Sequence, residues 1–134
     1  MRAMREAKIR IAKEDDVEEI AKLASRIFDG ANVNLGAENI FFVAEDKKKL
    51  VGFVHLIKKG KKIVLQGIGV EPAFRGSGIG TGLLEAAISY CEKNTEEILL
   101  NVKAINPAAK LYLEHGFFAK NSDDILTLSR KKPN

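Results

Sequence analysis

The first third of the chain shows two hydrophobic periods in succession. Residues 8–12 alternate apolar and polar side chains, which predicts a strand. Asp15 and Asp16 are each followed three residues later by a glutamate, the spacing of a capping box, and they predict the start of a helix. Gly30 is the expected end of this helix. Its apolar residues recur at helical spacing: Val17, Ile20, Ala21, Ala24, Ile27 and Phe28.

The middle of the chain is apolar and β-branched, and charged turns divide it. Segments 40–44, 50–57 and 63–70 have the composition of strands. The turns between them, at 45–49 and 58–62, are rich in lysine. We therefore predict three consecutive strands paired as an antiparallel meander.

The next part of the chain predicts helices that alternate with a strand. Apolar residues at helical spacing predict a second helix over residues 79–91, and residues 97–102 predict a strand. A third helix is expected from Asn106, a capping residue, through Pro107 at the first helical position, to a stop at Gly116.

The chain has the organisation of one domain. Segments 117–120 and 125–130 predict a closing strand pair, and no repeat or linker divides residues 1–134, so we expect a single α/β domain. The single cysteine, Cys91, excludes a disulfide framework and a cysteine-rich zinc site, and we expect no metal. No segment has the pattern of a membrane span or a signal peptide, which predicts a cytoplasmic protein.

The chain is basic, with 22 Lys and Arg against 18 Asp and Glu and a net charge of +4. The densest lysines lie in the predicted turns at 45–49 and 58–62, where exposure to solvent accounts for them. This distribution argues against a nucleic acid partner.

A glycine-rich segment, residues 67–82, joins the predicted fourth strand to the second helix. Free backbone N–H groups and the positive end of the helix dipole suit a phosphate at such a junction. A kinase-like phosphate loop needs a lysine at the start of the helix, and none occurs between Lys62 and Lys93. The glycine spacing also departs from the dinucleotide fingerprint. A different phosphate site and a purely structural glycine cluster are the two interpretations left.

The same segment resembles the acetyl-CoA loop of the GNAT N-acetyltransferase superfamily, which has the form Q/R-x-x-G-x-G/A. Residues 75–80, Arg-Gly-Ser-Gly-Ile-Gly, match every fixed position. The flanks match as well: Val-Glu-Pro at 70–72, Leu-Leu at 83–84, and Leu-Tyr followed by Gly-Phe within 111–117. The resemblance implies a mixed, mostly antiparallel sheet flanked by helices, with the fourth and fifth strands splayed apart at its centre.

The resemblance implies acetyl-CoA as the co-substrate, with its pantetheine arm between the splayed strands. The backbone of Ile68, Gly69 and Val70 would hold pantetheine, and Asn106 resembles the family asparagine that contacts it. Asn106 lies six residues before Tyr112 rather than the usual seven, so a simple helix cap is the alternative. The pyrophosphate would lie on the loop residues Arg75, Gly76, Ser77, Gly78, Ile79, Gly80 and Thr81.

The implied reaction is the attack of a neutral amine on a thioester carbonyl. Tyr112 matches the family tyrosine that protonates the departing thiolate, with packing in the core as the alternative. The Val70 N–H is the candidate donor to the oxyanion. Some family members carry a glutamate base on the fifth strand, where this chain has Asn101.

The base is therefore sought elsewhere in the sequence. Glu71, at the end of the fourth strand, is the candidate, and a solvated acid is the alternative. Loss of the proton through water is a further alternative to any named base. His55 and His115 are interpreted as structural residues.

These observations predict an acetyltransferase that moves an acetyl group from acetyl-CoA to a primary amine by direct transfer in a ternary complex. The acceptor is a peptide or protein N-terminus, a lysine or a small polyamine, and the sequence does not choose among them. A non-catalytic CoA-binding sensor is the alternative function. A homodimer is compatible with the resemblance, although no interface is readable.

Overall fold

The structure is a computed structural model that describes residues 7–28, 38–95 and 97–132. In these ranges one mixed sheet has the strand order β1-β2-β3-β4-β5-β7-β6, and every neighbouring pair is antiparallel except β4 and β5. The strands are β1 Lys8–Ile11, β2 Asn39–Asp46, β3 Lys49–Lys59, β4 Lys62–Val70, β5 Glu97–Lys103, β6 Phe118–Ala119 and β7 Ile125–Lys131. The helices are α1 Val17–Ile27, α2 Ile79–Asn94 and α3 Ala108–Glu114. The predicted fold class and meander are confirmed.

Each face of the sheet carries its own apolar core. The α1 face is covered by α1, and its buried side chains are Ile20, Leu23, Ala24, Phe41, Val43, Leu50 and Phe53. The α2 face is covered by α2 and α3, with Leu56, Ile63, Leu83, Leu84, Leu100 and Tyr112 among its buried residues. Of the helices described, none combines the length and apolarity that crossing a bilayer requires.

The sheet opens at its centre because β4 and β5 pair over three positions only. These are Lys62 with Glu97, Ile63 with Ile98 and Val64 with Leu99. Directly beyond them, β4 has a bulge: its register to β3 shifts around Gln66. A bulge bends the strand that carries it, so the remainder of β4 follows β3 and leaves β5 behind. The splayed strand pair is thus present, as the sequence led us to expect.

The start of α1 differs from the predicted capping box. A short 3-10 turn, Glu14–Asp16, precedes the helix, and the Asp16 side chain makes no capping bond to α1. Its carboxylate instead accepts the Lys13 N–H at 2.7 Å and two bonds from Arg10, at 2.7 and 2.9 Å. Asp16 is thus the third residue of the 3-10 turn and accepts the N–H of the residue that precedes this turn. The predicted helix end at Gly30 lies outside the described residues.

The third helix has the predicted cap in a slightly different form. The Asn106 Oδ1 accepts the Ala108 N–H at 2.9 Å, and the helix begins at Ala108 rather than at the predicted Pro107, which already has helical backbone angles. The last turn ends before Gly116, whose φ of +87° lies in the left-handed region.

We predict that Asp16→Asn destabilises the protein by about 2 kcal/mol at pH 7, because the buried carboxylate loses its charge-assisted bonds to Arg10. The Arg10 hydrogen bonds lower the pKa of Asp16 below its ordinary value. A lowered pKa contributes stability above the unfolded value, about 3.9, and that contribution is lost as the pH falls through the folded value. Urea unfolding at pH 7 and at pH 3 measures the difference, which should shrink in acid. Asp15→Asn, at the exposed neighbour, is the control; an equal loss there would contradict the prediction.

Candidate active site

A groove of about 1170 Å³ occupies the gap between β4 and β5 and reaches both faces of the sheet. The side chains of α1, β2 and β3 line it on the α1 face, and those of α3 on the other. Its lining includes Phe28, Phe41, Phe53, His55, Ile68, Gly69, Val70, Arg75, Asn101, Asn106 and Tyr112. Most of the sequence-predicted binding positions on β4 and α3 therefore lie around one cavity.

The backbone of β4 directs N–H and carbonyl groups into this groove. The Glu71 N–H donates to the Val51 carbonyl of β3 at 2.8 Å. Bonding to one neighbour alternates along an antiparallel strand, so Gly69 also points its N–H and carbonyl at β3, whereas Ile68 and Val70 point theirs into the groove. Of the three predicted pantetheine-binding backbones, Gly69 is thus engaged by the sheet.

The facing edge of β5 is open in the same way. The Ala104 N–H donates to the Asp124 carbonyl at 2.8 Å. This bond shows which residues along β5 direct their backbone groups toward β7 and which direct them away from it. The N–H and carbonyl groups of Asn101 and Lys103 are consequently directed into the groove. A ligand in the groove meets hydrogen-bonding backbone on both sides, as an additional strand would.

The glycine loop begins with a 3-10 turn, Pro72–Phe74, and leads into α2. Gly76 and Gly78 have φ values of +79° and +87°, which L side chains rarely adopt. The first turn of α2 leaves the N–H groups of its opening residues without helical partners, and Gly78 forms the cap with no side-chain bond. The loop therefore gathers free N–H groups at the start of α2. Of the predicted pyrophosphate-binding residues at 75–81, Arg75 alone belongs to the groove lining.

Arg75 connects this loop to β4. Its Nε donates to the Val70 carbonyl at 3.1 Å, and the residue lines the groove. Ser77 serves the turn itself, since its hydroxyl donates to the Phe74 carbonyl. The guanidinium is thus held where the loop and the groove meet.

The remaining loop glycines have different causes. A Cβ on Gly82 would lie 2.5 Å from the Ile9 Cδ1, so this glycine allows α2 to approach β1. A Cβ on Gly80 would have only the Val70 Cγ2 nearby, at 3.8 Å, an ordinary contact. Packing explains Gly82, and backbone conformation explains Gly76 and Gly78. Neither explains Gly80, where a side chain would have free space around it.

Tyr112 reaches the groove from the α2 face. The residue is 5% exposed, packs edge-on against Phe117, and lines the groove. Its hydroxyl has no hydrogen bond to any described residue, yet no fully buried polar side-chain atom in those ranges lacks a partner, so the hydroxyl opens into the groove. Burial raises the pKa of Tyr112 to about 12, and the phenol stays protonated at neutral pH.

Glu71 does not line the groove. Its Oε1 accepts bonds from the Arg26 Nε at 3.1 Å and from Nη2 at 2.5 Å. This ion pair joins the end of β4 to α1 across 45 residues of sequence. The predicted base is therefore placed beside a guanidinium, from which its carboxylate accepts two hydrogen bonds.

Two asparagines and one histidine complete the polar lining. The Asn101 Oδ1 accepts the Thr127 hydroxyl at 3.0 Å, and Asn106 combines its capping bond with a place on the groove wall. His55, which sequence reasoning treated as structural, lies on the α1 face and also lines the groove. The pattern of β3 could have revealed this, because His55 is two residues from Phe53 and shares its face.

The groove has a distinct charge character. Its ionisable lining residues are His55, Arg75, Lys103 and Tyr112, and no carboxylate belongs to the lining within the described ranges. The same ranges contain no group of three or more His, Cys, Asp or Glu side chains arranged for a metal. The groove suits an anionic ligand at the end that carries Arg75.

The comparison with known families identifies the class of protein to which this fold belongs. The model of the acetyltransferase (GNAT) domain matches residues 37–118. This chain belongs to the GNAT family of acetyltransferases, and the family predicted from the glycine loop is confirmed.

Individual relatives agree with this assignment. An uncharacterized N-acetyltransferase of Methanocaldococcus jannaschii is 41% identical over 69 residues, which cover 46% of this chain and 30% of that relative. The ribosomal-protein-S18-alanine N-acetyltransferase from Escherichia coli superposes with a TM-score of 0.85 at 21% identity, over 96% of both chains. The PaiA N-acetyltransferase from Thermoplasma acidophilum, solved with coenzyme A, gives 0.72 at 19% identity, over 92% of this chain and 99% of that one.

Gly67 and Gly69 face the α1 side of the groove with opposite consequences for substitution. A Cβ on Gly69 would lie 2.8 Å from the Phe53 Cε1, whereas nothing among the described residues comes within 4 Å of a Cβ on Gly67. We predict that Gly69→Val destabilises the protein by about 1–3 kcal/mol through overpacking, while Gly67→Val leaves stability unchanged or raises it by up to about 1 kcal/mol. Urea unfolding of the two variants checks this, and equal losses would contradict the geometry.

Proposed function

We propose that this chain transfers an acetyl group from acetyl-CoA directly to a primary amine while both substrates are bound. The observation that carries the proposal is the groove through the sheet, with free backbone on both edges and a glycine loop at one end. A groove open on both faces gives the donor and the acceptor separate entrances to one point.

The residues present fit acetyl-CoA. The backbone groups of Ile68 and Val70 would pair with the pantetheine amides, and the amide of Asn106 lies on the same wall. The opening N–H groups of α2, from Gly78 to Thr81, and the Arg75 guanidinium would bind the pyrophosphate at the positive end of the helix dipole. Acetyl-CoA, when bound, supplies the thioester that makes the acetyl group transferable.

Two groups on the groove wall have the chemistry that the transfer needs. The Val70 N–H points into the gap and would donate to the negative charge that develops on the thioester oxygen. The Tyr112 hydroxyl, protonated and open to the groove, would donate its proton to the departing sulfur. A thiol in the same desolvated groove has its own pKa raised, so the two groups shift in the same direction.

Direct transfer is favoured over a covalent cysteine intermediate. Cys91 is buried in the core between α2 and the sheet, away from the groove lining, and burial raises the pKa of its thiol to about 12. A thiol of that kind supplies almost no thiolate at neutral pH. The amine must therefore attack the thioester itself.

We expect Gly80→Asp to weaken acetyl-CoA binding at least tenfold without loss of fold. The added carboxylate would stand in the first turn of α2, where the dipole favours it and the Cβ has space, but it would repel a pyrophosphate. Isothermal titration calorimetry measures the affinity, and the shift of the unfolding temperature on adding acetyl-CoA gives a second readout.

Ser89→Asp is the matched control, since it adds the same charge to an exposed position of α2. It should leave the affinity for acetyl-CoA unchanged. If Gly80→Asp folds and binds acetyl-CoA as tightly as this control, the loop is not the pyrophosphate site.

Removing only the hydroxyl of Tyr112, as Tyr112→Phe, should lower turnover by about 10²- to 10⁴-fold. Because the hydroxyl has no partner among the described residues, stability and acetyl-CoA affinity should change little. Release of the CoA thiol at saturating substrates measures turnover. A folded variant with normal turnover would show that the thiolate leaves without help from Tyr112.

The absence of a carboxylate from the described groove lining favours one other candidate function, a sensor that binds acetyl-CoA without catalysis. CoA-thiol release measured with N-terminal peptides, lysine peptides and spermidine separates the two. Tight acetyl-CoA binding with no thiol release above background for every acceptor would favour the sensor.

A further inference from the structure

We infer that His55 accepts the proton of the attacking amine, that Asn39 positions its imidazole, and that the acceptor presents the α-amine of a polypeptide N-terminus. The inference rests on the proposed acetyl transfer and names the base and the substrate class for that site. The juxtaposition of His55, Asn39 and the open space beside Gly67 carries it.

The imidazole of His55 is held in one orientation. Its Nε2 lies 2.7 Å from the Asn39 Oδ1 on the neighbouring strand β2. The ring also stacks on Phe41, with centroids 4.2 Å apart and an interplanar angle of 12°. Phe41 is buried, so the support beneath the imidazole is rigid.

This arrangement determines which ring nitrogen can accept a proton. An amide oxygen only accepts hydrogen bonds, so Nε2 carries the proton and donates it to Asn39. In the neutral ring the lone pair then lies on Nδ1. The described residues offer Nδ1 no partner, and no fully buried polar side-chain atom among them lacks one, so Nδ1 is open to the groove.

The space in front of His55 exists because residue 67 is glycine. His55 pairs with Gly67 across β3 and β4, so both face the α1 side. No described atom lies within 4 Å of a Cβ built on Gly67. Val70, the proposed oxyanion donor, is three residues along β4, roughly 10 Å away. The proton would therefore travel through groove water or through an acceptor that lies between the two.

The surroundings of the imidazole are apolar or cationic. Toward it face Asn39 and Phe41 from β2 and Gly67 from β4, while α1 contributes Ala24, Ile27 and Phe28 to the same wall. The other ionisable residues of the groove lining are Arg75, Lys103 and Tyr112. Burial lowers the pKa of His55 below its usual 6.5, so the ring is neutral and able to accept a proton at neutral pH.

The attack needs a neutral amine, and amines differ in how readily they lose a proton. An α-amine has an ordinary pKa of about 7.7–8.0 and a lysine amine one of about 10.4, so near neutral pH the α-amine is far more often neutral. The wall of Phe28, Phe41 and Phe53 offers no described carboxylate to hold a polycation, but it suits apolar side chains of a peptide. Both properties favour an N-terminal α-amine over a lysine or a polyamine.

The ammonium form of the acceptor first releases one proton to solvent, which leaves a neutral amine. The amine nitrogen forms a bond to the acetyl carbon as the carbon–sulfur bond breaks. The second proton from this nitrogen passes through groove water to His55 Nδ1, and the Tyr112 proton passes to sulfur. Exchange with solvent returns the imidazolium and the phenolate to their starting states.

The first test compares four proteins with a lysine-free peptide that has a free N-terminal alanine. We expect His55→Gln to lower kcat by 10²- to 10⁴-fold with acetyl-CoA affinity within about twofold of the wild type. Glu71→Gln, at the rival base, should stay within about threefold. His115→Gln should match the wild type, since the His115 Nδ1 bonds the Leu111 carbonyl outside the groove lining. Normal turnover in His55→Gln, or a large loss in Glu71→Gln alone, overturns the inference.

Asn39→Asp gives a test that does not depend on removing the base. A carboxylate beside Nε2 stabilises the imidazolium, so the pKa of His55 measured by NMR titration should rise. If His55 is the base, the apparent pKa of the acidic limb of the kcat–pH profile should rise by the same amount. The inference is overturned if the pKa measured by NMR rises while the apparent pKa from kinetics does not. It is also overturned if the pKa measured by NMR does not change.

The substrate class is tested with matched acceptors. The same peptide with a blocked N-terminus and one lysine, and spermidine, should each react at least tenfold more slowly than the free N-terminus. Equal or faster reaction of either overturns the assignment of an α-amine. Absence of wild-type turnover with all three acceptors would contradict the proposed acetyl transfer itself, whereas turnover that survives in His55→Gln contradicts only the present inference.

Discussion

The unpaired backbone in the middle of the sheet is the constraint on which the rest of this structure depends. Polar backbone groups withdrawn from water need partners, and here β4 and β5 withhold theirs from each other beyond the third paired position. The bulge at Gln66 makes that separation. The Val70 carbonyl already accepts a bond from the Arg75 Nε. Solvent or an extended ligand must satisfy the Val70 N–H and the groups that Ile68, Asn101 and Lys103 present, so the open edges suit a linear partner that carries amides.

The two faces of the sheet present different chemical groups at this opening. The α2 face brings the free N–H groups of a helix start and the Arg75 guanidinium, which suit a polyanion. The α1 face brings aromatic rings and a neutral imidazole, which suit an uncharged or weakly basic group. A reaction that joins an anionic carrier to an amine needs this separation, because the amine must lose its charge before it attacks.

Sequence reasoning succeeded where the signal is local. The glycine loop and the meander follow from short patterns, whereas the splayed pair is implied by the family resemblance. Gly76 and Gly78 have the backbone conformation that only glycine adopts easily. Sequence reasoning does not reach contacts that a distant partner decides. Asp16 also meets Arg10 of β1, and Glu71 meets Arg26 from 45 residues away. His55 acquires its neighbours through strand register, which turns and bulges set and which no single segment encodes.

Two phenylalanine rings occupy the space that a side chain at residue 69 would fill. Phe53 and Phe28 lie 2.8 and 3.1 Å from where that Cβ would be, and both line the groove on the α1 face. A change in the size of either ring would reshape this wall and leave the glycine loop as it is. Under the proposed function, the choice of acceptor would change with these two rings, whereas the pyrophosphate site would stay the same.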